Sequence, residues 1–250
     1  VLKYFYHGAP VEMISVGVEE WKVFAAEAAA SRVRDGMIVG LGTGTTAEEA
    51  VKAIARRNPD CLFVPSSSST ERLARNLGLR LVDLKPGMRL DLVIDGADEV
   101  DPDLNLIKGR GGAHAREKII ACAARHVIII VDRTKLVRGL GERMPVPVEV
   151  LPFGYGQTME KLKKTGGVPV LRKSGESPFI TDNGNYVVDV KFKKIVKPAD
   201  LEIALNSIPG VVENGIFTGL ADEVLVGYEG GCRRIRSKSD FMDFLRAAKK

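Results

Sequence analysis

Cysteine and histidine are scarce in this 250-residue chain, and their scarcity and spacing close off metal-site chemistry. The three cysteines, Cys61, Cys122 and Cys232, are odd in number and far apart, with no CxxC pair and no mixed His/Cys spacing. No metal site is expected from them, and a reducing, cytoplasmic setting is. His7, His114 and His126 form no HxxxH pair, and no partner spacing gives His114 a chemical role. No apolar run reaches the roughly 20 residues that cross a bilayer, and no signal-peptide pattern is visible, so no membrane role is expected. Charge of one sign is lacking too. The 37 basic and 32 acidic side chains leave +5, interspersed rather than blocked. Nucleic acid is not demanded by such a balance, although a mild positive field would attract a phosphorylated substrate.

What is present is an alternation of strands and helices. Trp21, Phe24, Ala25, Ala28, Ala29 and Val33 recur at helical spacing, predicting a helix over Val18 to Val33. Met37 to Leu41, Cys61 to Val64, Leu79 to Val82, Leu90 to Ile94 and Val127 to Val131 read as strands. Helices are predicted from Ala47 to Arg57, from the end of the Ser66 to Ser69 stretch through Leu77, and from Ala113 to Arg125. Continuous apolar strands between helices imply an open α/β fold, a mainly parallel Rossmann-like sheet with helices on both faces. After Gly139 the pattern changes. The proline-rich Met144 to Pro152 leads into a smaller α+β unit with helices at Gln157 to Lys164 and Ala199 to Ser207. Asp182-Asn183-Gly184-Asn185 is a strong turn signal between its strands. The expected division is a catalytic domain of residues 1–144 and 217–250 interrupted by a ferredoxin-like domain of residues 145–216. Glu223 to Gly227 would rejoin the main sheet, and Arg233 to Lys250 reads as a basic, solvated tail. The first twelve residues fit no pattern, and Met13 is a candidate start.

Two elements carry chemistry. Gly40-Leu41-Gly42-Thr43-Gly44-Thr45-Thr46 ends a strand and enters a helix. Glycines let amides converge there, hydroxyls add donors, and the helix start adds partial positive charge, so an anion fits. The third glycine of GxGxxG and the GK[ST] of a Walker loop are both missing, which favours a monophosphate over a dinucleotide or ATP. Ser66 to Ser69 either adds hydroxyl donors to that anion or is a plain polar loop.

The second element is Val93 to Lys118, VIDGADEVDPDLNLIKGRGGAHAREK. Asp95 and Asp98 follow a buried strand and should both face the crevice beyond the sheet's carboxyl edge, handling protons and hydroxyls. Asp101 and Asp103 read as surface turn residues. Lys108, flanked by glycine, can stabilise an oxyanion. Glu117, in the first turns of a helix whose dipole would keep it ionised, can serve as a base, while burial would raise its pKa. Lys118 should face elsewhere.

With these residues, the chain resembles the ribose-5-phosphate isomerase A family. The motifs are GLGTGTT (Gly40 to Thr46), DGADEVD (Asp95 to Asp101), IKGRGGAHAREKII (Ile107 to Ile120) and MPVPVEVLP (Met144 to Pro152). GGVPVLR (Gly166 to Arg172), ITDNGNYVVDV (Ile180 to Val190) and IPGVVENGIF (Ile208 to Phe217) extend the likeness. The resemblance implies interconversion of ribose 5-phosphate and ribulose 5-phosphate, within the pentose phosphate pathway, without metal or organic cofactor. By its motifs, Thr43, Gly44, Thr45 and Thr46 would hold the phosphate and Glu117 would move a proton between C2 and C1. Asp95, Gly96, Ala97 and Asp98 would meet the sugar and Lys108 the enediolate, with Gly109, Arg110 and Gly111 lining the site. Lys135, and Lys22 on the first helix, would complete binding. A homodimer or homotetramer is also implied. Two departures stand out: Arg110 replaces a glycine of the family's KGGG pattern, and the loop Ser66 to Thr70 is shorter than in some members.

Other sugar-phosphate isomerases, deaminases and CoA-transferase relatives could share such a fold. Asp95, Asp98, Lys108 and Glu117 together favour the pentose isomerase. A sugar-phosphate sensor would need a helix-turn-helix segment, for which residues 1–35 are too short, and could dispense with Glu117.

Overall fold

The computed structural model describes residues 11–247, so His7 and the stretch ahead of Val11 lie outside the described residues. The first helix, α1 (Val11–Ala30), starts earlier than its apolar spacing predicts and ends before Val33. The chain continues through β1 (Ile38–Leu41), α2 (Thr45–Arg57), β2 (Leu62–Pro65), α3 (Ser68–Asn76), β3 (Leu92–Gly96), the short β4 (Glu99–Val100) and β5 (Leu106–Ile107), α4 (His114–Cys122) and β6 (Val127–Asp132). Leu79 to Val82 forms only an isolated bridge, Phe63 to Leu81, instead of a strand.

Next come β7 (Val146–Val150), α5 (Tyr155–Lys163), β8 (Val168–Leu171), the two-residue β9 (Lys173–Ser174) and β10 (Ser177–Pro178), β11 (Tyr186–Lys191), α6 (Pro198–Asn206) and β12 (Val211–Asn214). These form an antiparallel four-stranded sheet in the order β12-β7-β11-β8. It surrounds an apolar cluster that includes Val148, Val150, Leu162, Val188 and Leu205. The chain then returns through β13 (Ile216–Phe217), β14 (Glu223–Tyr228), β15 (Gly231–Ile235) and α7 (Lys238–Ala247).

The main sheet runs β15-β14-β6-β3-β1-β2, parallel except for β15. Its strands are apolar on both sides because both faces are covered. In β6, Ile128 and Ile130 join the cluster under α1, α2 and α3, while Val127, Ile129 and Val131 join the opposite one with α4 and α7. The basic tail is thus not merely a solvated face. Its β15 extends the sheet, and α7 buries Phe241 and Phe244. Alternation of Phe241 and Phe244 at a three-residue spacing was masked by the surrounding charges.

From β1 the chain steps to β2 on one side, then crosses back to place β3 on the other. Loops after β1 and β3 therefore diverge and leave a crevice at their carboxyl ends, the usual ligand position in open α/β sheets. A three-stranded ribbon, β13-β5-β4, sits beside it and carries the chain from Asp98 to Lys108.

Candidate active site

A cavity of about 470 Å³ opens at that crevice. Its wall includes Lys22 of α1, residues 43–46 before and within α2, Gly96, Ala97 and Asp98 after β3, Lys108 to Gly111, Glu117 of α4, and Lys135 beyond β6. The structure thus gathers residues separated by more than a hundred positions, with one exception. Asp95, expected to face the crevice and bind sugar, is not part of the wall. It lies behind Lys108, its carboxylate occupied by protein donors.

Each group is placed by local backbone chemistry. Gly42 N–H donates to the Ile94 carbonyl, bringing the β1 loop onto β3. An added Cβ at Gly42 would fall 1.9 Å from Asp95 Oδ1, so only glycine allows this approach. Thr43 N–H then donates to Asp95 Oδ1 at 3.1 Å and Gly96 N–H to the same oxygen at 2.7 Å. Gly44, at φ 109°, starts α2 without any side-chain cap. The first amides of α2 therefore point toward the cavity without a side-chain acceptor, with the positive end of the helix dipole behind them.

Ser66 and Ser67 are buried and do not reach into the cavity. Thr43 Oγ1 lies 2.8 Å from each of their hydroxyls and 3.2 Å from Thr70 Oγ1, which in turn donates to the Gly42 carbonyl. The serine-rich loop is therefore more than a plain polar loop: its buried hydroxyls brace Gly42 and Thr43 from behind.

Lys108 is the centre of the charged site. Asp95, Lys108 and Glu117 are 2%, 3% and 4% exposed. The ammonium is 2.9 Å from Asp95 Oδ2 and 3.1 Å from Glu117 Oε2, and it donates to the Gly96 carbonyl. Three oxygens surround the ammonium, of which only the Gly96 carbonyl takes a hydrogen bond from it; Glu117 Oε2 is buried without a hydrogen-bond partner. Its backbone N–H is held by the Gly215 carbonyl at 2.9 Å. Burial opposes the charge on Lys108, yet the two carboxylates outweigh it and raise its pKa. Burial and the neighbouring Asp95 push Glu117 up to about 8, and burial raises Asp95 as well. The helix dipole does not keep Glu117 in the ordinary carboxylate range: desolvation wins.

Asp98 is half-buried on the wall and accepts from Arg110 N–H at 2.9 Å. The Arg110 side chain is exposed at the cavity rim. Lys22 pairs with Glu19 at 2.6 Å. Lys118 faces away, held at 2.8 Å by both Glu202 and Glu213. Asp101 is no surface residue: it is buried and accepts from the amides of Asp103 and Asn105, while exposed Asp103 pairs with Lys238. Burial lowers His114 to about 3, leaving it neutral and outside the wall, in line with its lack of partner spacing.

Asp132 and Thr134 also line the cavity and were not anticipated. Asp132 ends the VIIIV strand as Asp95 follows its own, so the strand-end rule applied to every strand would have found it. Among the described residues, no group of three or more His, Cys, Asp or Glu is arranged to hold a metal ion. No helix there is long and apolar enough to cross a membrane.

Comparison with known proteins matches residues 62–231 to the family described as ribose 5-phosphate isomerase A (phosphoriboisomerase A). A ribose-5-phosphate isomerase A of Thermosynechococcus vestitus is 48% identical over 217 residues, covering 84% of this chain and 92% of the relative. That of Thermomicrobium roseum is 49% identical over 223 residues, covering 87% and 94%. Among solved structures, ribose 5-phosphate isomerase A of Methanocaldococcus jannaschii superposes with a TM-score of 0.84 at 41% identity, covering 88% of this chain and 99% of its own. A D-ribose-5-phosphate isomerase described in complex with phospho-erythronic acid gives 0.85 at 43% identity, with the same coverage.

Proposed function

Because the chain belongs to the ribose 5-phosphate isomerase A family, we propose that it interconverts D-ribose 5-phosphate and D-ribulose 5-phosphate through an enediolate formed at Glu117 and Lys108. The observation that carries this reading is the buried Asp95–Lys108–Glu117 chain at one end of a cavity whose wall also holds an uncapped helix start. The phosphate would take the amides of Gly44, Thr45 and Thr46, with Lys22 and Lys135 adding positive charge. The solved relative with phospho-erythronic acid supports an anionic, phosphorylated ligand.

In the forward reaction the Glu117 carboxylate removes the proton from C2 of the open-chain aldehyde, and the electron pair moves through C1 to O1. The same proton returns to C1, while the O2 hydroxyl proton passes to O1, leaving a ketone at C2. Asp98, on the wall, is the group for transfer between oxygens. A base with a pKa near the working pH balances availability of carboxylate against affinity for the proton, which suits Glu117.

Lys108 gives this step its electrostatics. In the free site its ammonium donates to the Gly96 carbonyl and stands at ion-pair distance from Asp95 and Glu117, whose Oε2 has no hydrogen-bond donor. As Glu117 takes up a proton, its hold on the ammonium weakens at the moment charge appears on O1. The cation is thereby handed from carboxylate to oxyanion without leaving its burial site, which keeps the field preorganised. Asp95 acts from behind, anchoring Lys108 and Thr43 instead of touching sugar.

We read residues 145–216 as a ferredoxin-like domain set into a catalytic domain of residues 1–144 and 217–250, supported by the strand–helix–strand–strand–helix–strand order of the smaller sheet. The same family membership supports a cytoplasmic homo-oligomer. The test is ribulose 5-phosphate formation by purified protein in EDTA, alongside Glu117→Gln. Activity should survive the chelator and fall about 10²- to 10⁴-fold in the folded variant. Full turnover by Glu117→Gln would refute the base, and no turnover by the wild type the function.

A further inference from the structure

The loop that follows Lys108 is held from the far side by a residue of the smaller sheet. Arg172, just after β8, donates through Nη1 to the carbonyls of Gly109 and Arg110, both at 2.9 Å. Asp189 of β11 grips the other edge of the guanidinium, accepting from Nε at 2.9 Å and from Nη2. The plane also lies over the Phe179 ring, 5.7 Å from its centroid. That ring packs on Gly112, where an added Cβ would sit 2.4 Å from the ring edge.

The Gly109 carbonyl and the Arg110 N–H are the two ends of one peptide group. Arg172 therefore binds one end of this peptide, and the other end donates to Asp98 Oδ2 at 2.9 Å. A cation on the carbonyl polarises the amide and strengthens its bond to the carboxylate, as in any chain of aligned hydrogen bonds. Gly109 has φ 109°, a conformation that lets the peptide turn this way, and the turn is closed by Gly112 N–H on the Gly109 carbonyl at 3.0 Å.

We propose that Arg172 is a positioning residue for the isomerisation: through the Gly109–Arg110 peptide its guanidinium aims the Asp98 carboxylate at the substrate oxygens. Arg172 does not line the cavity, and of its contacts the one that leads to Asp98 is that peptide. The inference rests on the role given to Asp98 above. Asp189 is part of the same device, since its bidentate grip sets the plane from which Arg172 reaches both carbonyls.

The experiment is steady-state kinetics of Arg172→Ala, Arg172→Lys and Asp189→Asn, each with a melting curve, and with millimolar guanidinium added to the alanine variant. Misplacing Asp98 should lower kcat about 10- to 100-fold in Arg172→Ala with little change in KM, because the phosphate anchor on α2 is untouched. Lysine should recover part of the rate, Asp189→Asn should lose less than alanine, and free guanidinium should restore kcat in Arg172→Ala but not in Asp98→Asn. An unchanged kcat in Arg172→Ala, or a loss that tracks melting and ignores guanidinium, overturns the inference while leaving the isomerase reading intact. An inactive wild type overturns both.

Discussion

Replacing Lys108 by methionine would remove the cation and keep most of the volume. Its Nζ sits 2.9 Å and 3.1 Å from two carboxylates that are themselves buried. Breaking such an arrangement typically costs about 3–5 kcal/mol, because the remaining charges stay desolvated. The cost must depend on pH. In the wild type Glu117 already titrates at about 8, so the folded protein holds roughly one more proton than the unfolded chain between the ordinary carboxylate range and pH 8. Without Lys108, whose charge opposes it, the upward shift already present at Asp95 grows, and its carboxyl keeps its proton to higher pH on folding. A carboxyl raised in the folded state loses stabilisation as pH rises, by about 1.4 kcal/mol per pH unit for each extra proton retained. The stability gap between wild type and Lys108→Met should therefore widen from pH 5 to pH 8. Urea unfolding at fixed protein concentration across that range reads it directly, and fixed concentration matters if subunits associate. A gap independent of pH would refute the coupling of the three groups. Turnover should fall about 10²- to 10³-fold at every pH, as for loss of an oxyanion donor.

Two further outcomes follow from the same geometry. The acid limb of kcat/KM should fall near pH 8, and Asp95→Asn should move it to lower pH, because the Asp95 charge helps raise Glu117; a pH–rate profile with an unmoved limb would contradict this. Phe241→Ala should destabilise by about 3–5 kcal/mol, since the ring is wholly buried, yet leave turnover per folded molecule unchanged; a thermal melt and active-site-normalised kinetics decide whether the C-terminal helix is a structural element.

Much of this was legible in the sequence where physics is local. The continuous apolar run of β6 declares a strand buried on both faces, and Gly42 to Thr46 declares a strand-to-helix turn, because neighbours in sequence suffice to define both. What failed depends on distant partners. Asp95 looked like a crevice residue, since a strand-end position does not reveal that Lys108, thirteen residues on, will take its carboxylate. Glu117 looked ionised because its place in α4 is visible and its burial is not. Arg172 closes the GGVPVLR motif, yet nothing in the sequence gives it a role. Its partners in the loop after Lys108 lie 62 and 63 residues away, and both are backbone carbonyls that any residue would provide.

The Gly215 carbonyl that holds Lys108 has a consequence for the birth of the protein. Every charged group of the site is present once residue 135 has left the ribosome. The backbone that sets Lys108, however, is not synthesised until eighty residues later, and β14, which flanks β6 within the sheet, follows later still. A nascent chain therefore carries all the charged groups of the cavity wall through about a third of its synthesis without the backbone that sets Lys108. The backbone contact that sets Lys108 cannot form before the segment carrying Gly215 exists to pair beside β5.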